Sequence, residues 1–137
     1  LWTPRARENL WRKVDAGADF VQTQVTFDLR GLRPIAAALH ARHPEVAIVP
    51  MLLPVVSPDA AIRVARRLGI PLDQALHHDL ERRGAEAGWE AFARRFDELQ
   101  RDPAFAGVAI MTPIDPAPDY LARLRAIVTP AATGAEG

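Results

Sequence analysis

Cysteine is absent from the 137 residues, which excludes disulfides, thiolate metal sites and a cysteine nucleophile. Lysine is nearly absent: Lys13 stands alone among basic residues that are otherwise arginine. An ammonium is a compact point charge and a guanidinium a planar fork, so a lone lysine here reads either as chance or as a residue kept for its shape. Neither sign of charge is in excess, with 17 Lys+Arg against 17 Asp+Glu. That argues against nucleic acid or an anionic membrane as a partner held by bulk charge. No apolar run approaches the roughly 18 residues of a membrane span, and no signal-peptide pattern opens the chain. A cytoplasmic location is the expectation. Aromatic residues make up 7%, and alanine supplies much of the 49% hydrophobic content, which predicts a thin core. A glycine-rich phosphate loop is missing as well.

What is present is an alternation of helical and strand patterns. Arg5 to Ala16 is helical by its Leu10/Val14 spacing, with Gly17 as its C-cap. Ala18 to Val25 reads as a short buried strand. Asp28 can cap a helix from Leu29 to Arg42, striped by Leu32, Ile35, Ala36 and Leu39. Val46 to Leu53 is a second strand, in which Pro50 predicts a bulge or an early end. Ser57-Pro58 starts a helix closed by Gly69, and Pro71 opens another to about Arg83. Gly84 and Gly88 flank a break before an amphipathic helix, Trp89 to Arg101. Ala106 to Met111 is a third strand and Pro118 to Val128 a last helix.

Strands alternating with helices imply an α/β fold with a parallel sheet and right-handed crossovers. Three strands are too few for a closed barrel, and the pattern fits the C-terminal half of a TIM-type (β/α)8 barrel. Residues 1–129 are expected to form this partial barrel domain and 130–137 a disordered tail. The chain opens on Leu1 inside a helical pattern, which suggests a piece of something longer. Ligands of parallel α/β proteins collect at the C-terminal ends of the strands, where the first strand ends in Gln22-Thr23-Gln24.

The run from Asn9 to Asp28, with its Arg-Lys-Val-Asp-Ala-Gly-Ala and Thr-Gln segments, resembles methylenetetrahydrofolate reductases. So, more loosely, do Ile48 to Pro54, Gly69-Ile70-Pro71 and Gly107 to Met111. These are flavin enzymes on a (β/α) barrel that pass reducing equivalents from a nicotinamide cofactor, through FAD, to methylenetetrahydrofolate, giving methyltetrahydrofolate. The resemblance implies FAD as cofactor, NAD(P)H as co-substrate and a folate-type substrate. It places Asn9, Arg12 and Lys13 at FAD contacts, and their i, i+3, i+4 spacing puts them on one helix face. An amide and two cations suit a dinucleotide, although the spacing alone equally describes solvated charges. It places Gln24 at the pterin, where an amide can donate and accept at a heterocycle edge. Gln22, two residues upstream and on the same face by strand period, is a secondary substrate contact or a filler of the barrel interior.

The chain departs from the family at several positions. Ala6 replaces an acidic flavin contact, Met51 a glycine, Ala60 a second folate-contacting glutamine and Val64 an aromatic residue. Asp115 falls near an arginine that pairs with the folate's glutamate. The implied flavin face is therefore kept better than the folate face. No catalytic residue and no metal ligand set is assigned. His77-His78 and His40/His43 lack suitably spaced partners, and Ser57 is a helix cap rather than a nucleophile.

A reductase half-barrel is the leading expectation. The alternative is a non-catalytic or divergent half-barrel completed by a missing N-terminal half or by a homo-oligomer, since three strands leave unpaired edges. A folate-binding methyltransferase barrel, without flavin or nicotinamide, is the third reading.

Overall fold

The computed structural model of the protein describes residues 3–129; the expected tail at 130–137 lies outside them. Helix α1 (Pro4–Asp15) leads into strand β1 (Phe20–Val25), a 3-10 turn (Leu29–Gly31) and α2 (Leu32–Arg42). Strand β2 (Ala47–Leu52) is followed by α3 (Pro58–Leu68), α4 (Gln74–Arg83) and α5 (Ala85–Arg101), then β3 (Ala109–Ile110) and α6 (Pro118–Val128). The three strands form one parallel sheet in the order β1-β2-β3. This is the expected α/β alternation. No helix among the described residues is long and apolar enough to cross a membrane.

The helix ends follow local chemistry. Thr3, Ser57 and Asp73 each accept a backbone N–H of the first turn of α1, α3 and α4, satisfying donors that the helix itself leaves open. Gly69 ends α3 at φ 65°, a left-handed position that glycine takes without steric cost. Asp28 caps the 3-10 turn rather than a full helix, accepting from the Arg30 N–H at 3.1 Å, so the expected helix 29–42 is split in two.

The sheet is irregular on both sides of Pro50. Against β1, the register slips between Gln22 and Val25: three residues of β1 pass two of β2. The extra residue lies in β1, opposite Pro50, whereas β2, where a bulge was expected, runs unbroken from Ala47 to Leu52. Thr23 occupies the irregular stretch, its hydroxyl accepting the Met51 N–H at 3.2 Å. Against β3, the carbonyls of Ile48 and Leu52 accept from Ala106 and Met111, both at 2.9 Å. By the period of two, Pro50 faces β3 as well, and it has no N–H to offer. The expected strand 106–111 accordingly shortens to Ala109–Ile110.

Two apolar clusters hold the elements. The larger joins Val14, Leu32, Ala36 and Leu39 to Ile48 and Leu52 of β2 and to Trp89, Phe92, Phe96 and Leu99 of α5. Phe92 stacks on Phe96 with centroids 6.0 Å apart and meets Trp89 edge-on at 6.3 Å. The smaller joins Val55, Ala61, Leu76, Leu80, Ala87 and Ala91, with Phe27, Ala60 and Val64 packed against it. It sets α3 and α4 beside the segments that follow β1 and β2. Gly88, expected at a break, lies inside α5: a Cβ there would come within 2.0 Å of the Val55 carbonyl oxygen. Phe20 (58% exposed) and Met111 (42%) remain uncovered, as does Gln22.

Tyr120 ties α6 to the end of β2, its hydroxyl donating to the Pro54 carbonyl at 2.7 Å beside Trp89. Burial pushes its pKa up to about 12. Tyr120→Phe leaves that carbonyl without its donor, and should lower the unfolding free energy by about 1 kcal/mol in urea titrations.

At the other end of β1, Asp15 closes α1 onto the end of α2. It accepts from Arg42 and lies 2.7 Å from His43 Nε2, while His43 Nδ1 is 3.3 Å from Glu45. The hydrogen bond to Asp15 raises the His43 pKa above its ordinary 6.5, and the same bond, with Arg42 second, lowers that of Asp15. The folded protein thus binds the His43 proton more tightly than the unfolded chain does. Its stabilising contribution is complete below pH 6.5 and is lost as pH rises through the raised value. Denaturant midpoints should fall between pH 6 and pH 8, and His43→Gln should flatten that dependence.

Candidate functional site

The bulge, the 3-10 turn and the α3–α4 connection meet at the C-terminal end of β1. Between them lies an open cleft of about 820 Å³, bounded by residues 23–32 on one side and 70–73 on the other, with Ile35, Arg95 and Glu98 at its flank. Its lining mixes apolar residues (Val25, Phe27, Leu29, Ile70, Leu72) with polar and charged ones (Thr23, Gln24, Asp28, Asp73, Arg95, Glu98). Small-molecule sites combine apolar surface with placed polar groups.

Gln24 lines this cleft. Its Nε2 donates to the Leu68 carbonyl at 3.2 Å, one of the carbonyls that the C-terminal turn of α3 leaves open. Its Oε1 has no hydrogen-bond partner among the described residues. Gln22 does not line the cleft. Both glutamines are exposed in the unbroken alternation of β1, as the period of two predicted; Gln24 reaches the cleft because it lies two residues nearer the strand's C-terminal end.

Asn9, Arg12 and Lys13 share one surface of α1 as the spacing predicts, and Arg12 Nη2 donates to Asn9 Oδ1 at 2.9 Å. Neither cation forms a salt bridge among the described residues. They do not line the cleft. The Lys13 carbonyl accepts from Ala18 at 3.3 Å, so its backbone sits just before β1, whereas Gln24 sits near the far end of that strand. At about 3.3 Å per residue, Phe20 and Gln24 are about 13 Å apart along β1. The Arg12 side chain leans back toward the N-terminus of its helix, as helical side chains do.

Positions where the chain departs from the family have structural occupations. Ala60 and Val64 pack α3 onto the smaller cluster, and Asp115 is exposed beyond β3. Two of the four histidines find carboxylates: His77 pairs with Glu81 at 3.3 Å and His43 with Asp15 and Glu45.

One residue of the cleft escapes sequence reasoning. Arg95 of α5 donates from Nε to the Phe27 carbonyl at 3.1 Å and from Nη2 to Asp73 Oδ2 at 2.9 Å. Its guanidinium lies 5.5 Å from the Phe27 ring centroid. Desolvation lowers its pKa, against the opposing pull of Asp73. In the sequence it is the second of two adjacent arginines on an amphipathic helix, and nothing separates it from its solvated neighbour Arg94.

Comparison with known proteins adds two findings. A sequence model of the family described as methylenetetrahydrofolate reductase matches residues 4–91. Among solved structures, the fold is similar to that of an uncharacterized protein from Clostridium thermocellum that binds two copies of 5-methyl-5,6,7,8-tetrahydrofolic acid, with a TM-score of 0.61 at 14% identity. That similarity covers 88% of this chain but 45% of the other, so the chain spans less than half the neighbour's length. No curated protein gives a significant match. The family match runs from α1 into α5, over more than half of the sequence, and on that ground the chain belongs to the methylenetetrahydrofolate reductase family.

Proposed function

We propose that the chain contributes the reduced-folate site of a flavin-dependent oxidoreductase, one that converts methylenetetrahydrofolate to methyltetrahydrofolate with NAD(P)H as reductant. The observation that carries this reading is Gln24. It stands at the C-terminal end of a parallel strand, lines a large open cleft, and has an unused acceptor beside its amide N–H donor. A pterin edge presents both complements. The apolar walls around Phe27 and Leu72 suit a flat heterocycle. The solved neighbour's methyltetrahydrofolate supports the same ligand class. Gln22 is a secondary contact for a ligand that extends along β1 from the cleft.

FAD fits the surface of α1 in its donor chemistry. Two cations without carboxylate partners among the described residues, next to an amide, offer what a diphosphate and a ribose require. Asn9, Arg12 and Lys13 would hold its diphosphate and ribose there. When bound, the flavin supplies hydride transfer between nicotinamide and folate. The chain's own part is to bind, orient and shield. The exposed Phe20, Gln22 and Met111 support a further element of the reading: additional β/α units, from a partner or a second copy, complete the sheet and the active site.

Calorimetric titration with 5-methyltetrahydrofolate and absorbance titration with FAD test these assignments. Saturable folate binding that Gln24→Leu weakens supports the folate site, and none at millimolar ligand overturns it. Perturbation of the flavin spectrum that Lys13→Ala abolishes supports the cofactor site. Folate binding with no flavin response would favour the methyltransferase-like reading. A single monomeric species by light scattering would count against pairing.

A further inference from the structure

Arg95 is unusual among the arginines of this chain. Its side chain is 18% exposed, whereas most others reach into solvent. It comes from α5, yet its two hydrogen bonds go to the two opposite walls of the cleft: the Phe27 carbonyl after β1, and Asp73 before α4. Among the described residues no other side chain hydrogen-bonds to both segments. The same guanidinium lies over the Phe27 ring. Asp73 is doubly used, since its other oxygen accepts the Leu76 N–H at 3.0 Å and caps α4. Glu98, one turn further along α5 and also at the cleft, is engaged by Arg33. Arg95 lies outside the residues matched by the family, 4–91.

From this geometry we infer that Arg95 is a positioning residue: its planar fork fixes the separation of the two cleft walls, and a reduced folate is held tightly only while that fork is closed. The first half stands on the contacts alone; the second rests on the proposed function. The fork is specific to arginine. Lysine carries one ammonium, which cannot reach a carbonyl and a carboxylate in divergent directions while lying flat on a ring. Segments 26–32 and 70–73 have little other polar anchorage to each other, so their local opening should be governed by this tether.

Amide hydrogen exchange on the whole chain tests the tether without any ligand. In Arg95→Met and Arg95→Lys, exchange in 26–32 and 70–73 should rise about tenfold, with β1 and β2 changing less than about twofold. Unchanged exchange in those segments overturns the tether, and so does a uniform rise across the sheet, which would mark an ordinary packing role. Asp73→Asn guards against misfolding: asparagine still caps α4 but no longer offers Arg95 a charge, and it should loosen the same segments. For the second half, the affinity for 5-methyltetrahydrofolate should fall about tenfold in all three variants. Loosened walls with undiminished affinity overturn that half. If the parent protein binds no folate while the variants loosen the walls, the tether stands and the folate reading falls.

Discussion

Replacing Gly88 by alanine should lower the unfolding free energy by about 3 kcal/mol or more, enough to leave much of the protein unfolded. The added Cβ would lie 2.0 Å from the Val55 carbonyl oxygen and 2.9 Å from the Val56 Cα. Both are backbone atoms, so no rotamer change relieves the clash, and α5 must move away from the segment after β2. Phe92 and Phe96 of the larger cluster and Ala87 and Ala91 of the smaller one ride on the same helix. Displacing α5 therefore disturbs both cores, and it outweighs the helix propensity that alanine gains over glycine, about 1 kcal/mol. Gly31→Ala provides the contrast. Its backbone is already helical at φ −68°, and the nearest atom to a new Cβ is Asp28 Oδ2 at 3.9 Å. There the substitution should raise stability by about 0.4–1 kcal/mol, through the reduced entropy of the unfolded chain. Guanidinium denaturation of the three proteins side by side reads both effects. A Gly88→Ala protein as stable as its parent would mean that α5 and β2 are not in this close approach.

Gln24→Leu should weaken 5-methyltetrahydrofolate binding about ten- to hundredfold while costing only about 1 kcal/mol of stability. Leucine has a similar volume and no polar atoms. A pterin edge facing it is left with buried donors and acceptors that water no longer satisfies, which is the expensive outcome in any hydrogen-bonded site. The smaller stability term comes from the Leu68 carbonyl, which loses the Gln24 donor but lies at an exposed helix end where water can replace it. Gln24→Glu sharpens the test. A carboxylate keeps the acceptor but brings negative charge to the Leu68 carbonyl at the negative end of the α3 dipole, so it should bind no better than the leucine variant at pH 8. Calorimetric titrations of the three proteins measure both differences. Equal affinities in all three would remove Gln24 from the site.

Much of the architecture could be read before any coordinates. Ser57-Pro58 and Gly69 bracket α3 because capping depends on residues within one turn of each other. The stripes of Leu32, Ala36 and Leu39 and of Trp89, Phe92 and Phe96 face the core because helical period alone decides which residues share a side. Pro50 announced an irregularity because a missing N–H is a local fact. Asn9 and Arg12 met for the same reason, three residues apart on one helix.

Other features needed the packed molecule. Gly88 reads as a helix breaker in sequence, and only the backbone of a segment some thirty residues earlier shows it to be a contact point. Gln22 and Gln24 are equivalent by strand period and both exposed, and only the folded chain shows that the cleft begins at Thr23 and so takes in one of them. Arg95 is indistinguishable from Arg94 until Phe27 and Asp73 arrive from elsewhere in the chain. The amino-acid order thus specified the elements, their ends, their buried faces and the family they belong to, since these depend on neighbours a few residues apart or on a shared pattern. Which polar side chain reaches the cleft, which glycine is irreplaceable and which arginine joins the walls were settled by groups distant in sequence coming together, and no local pattern encodes those distances.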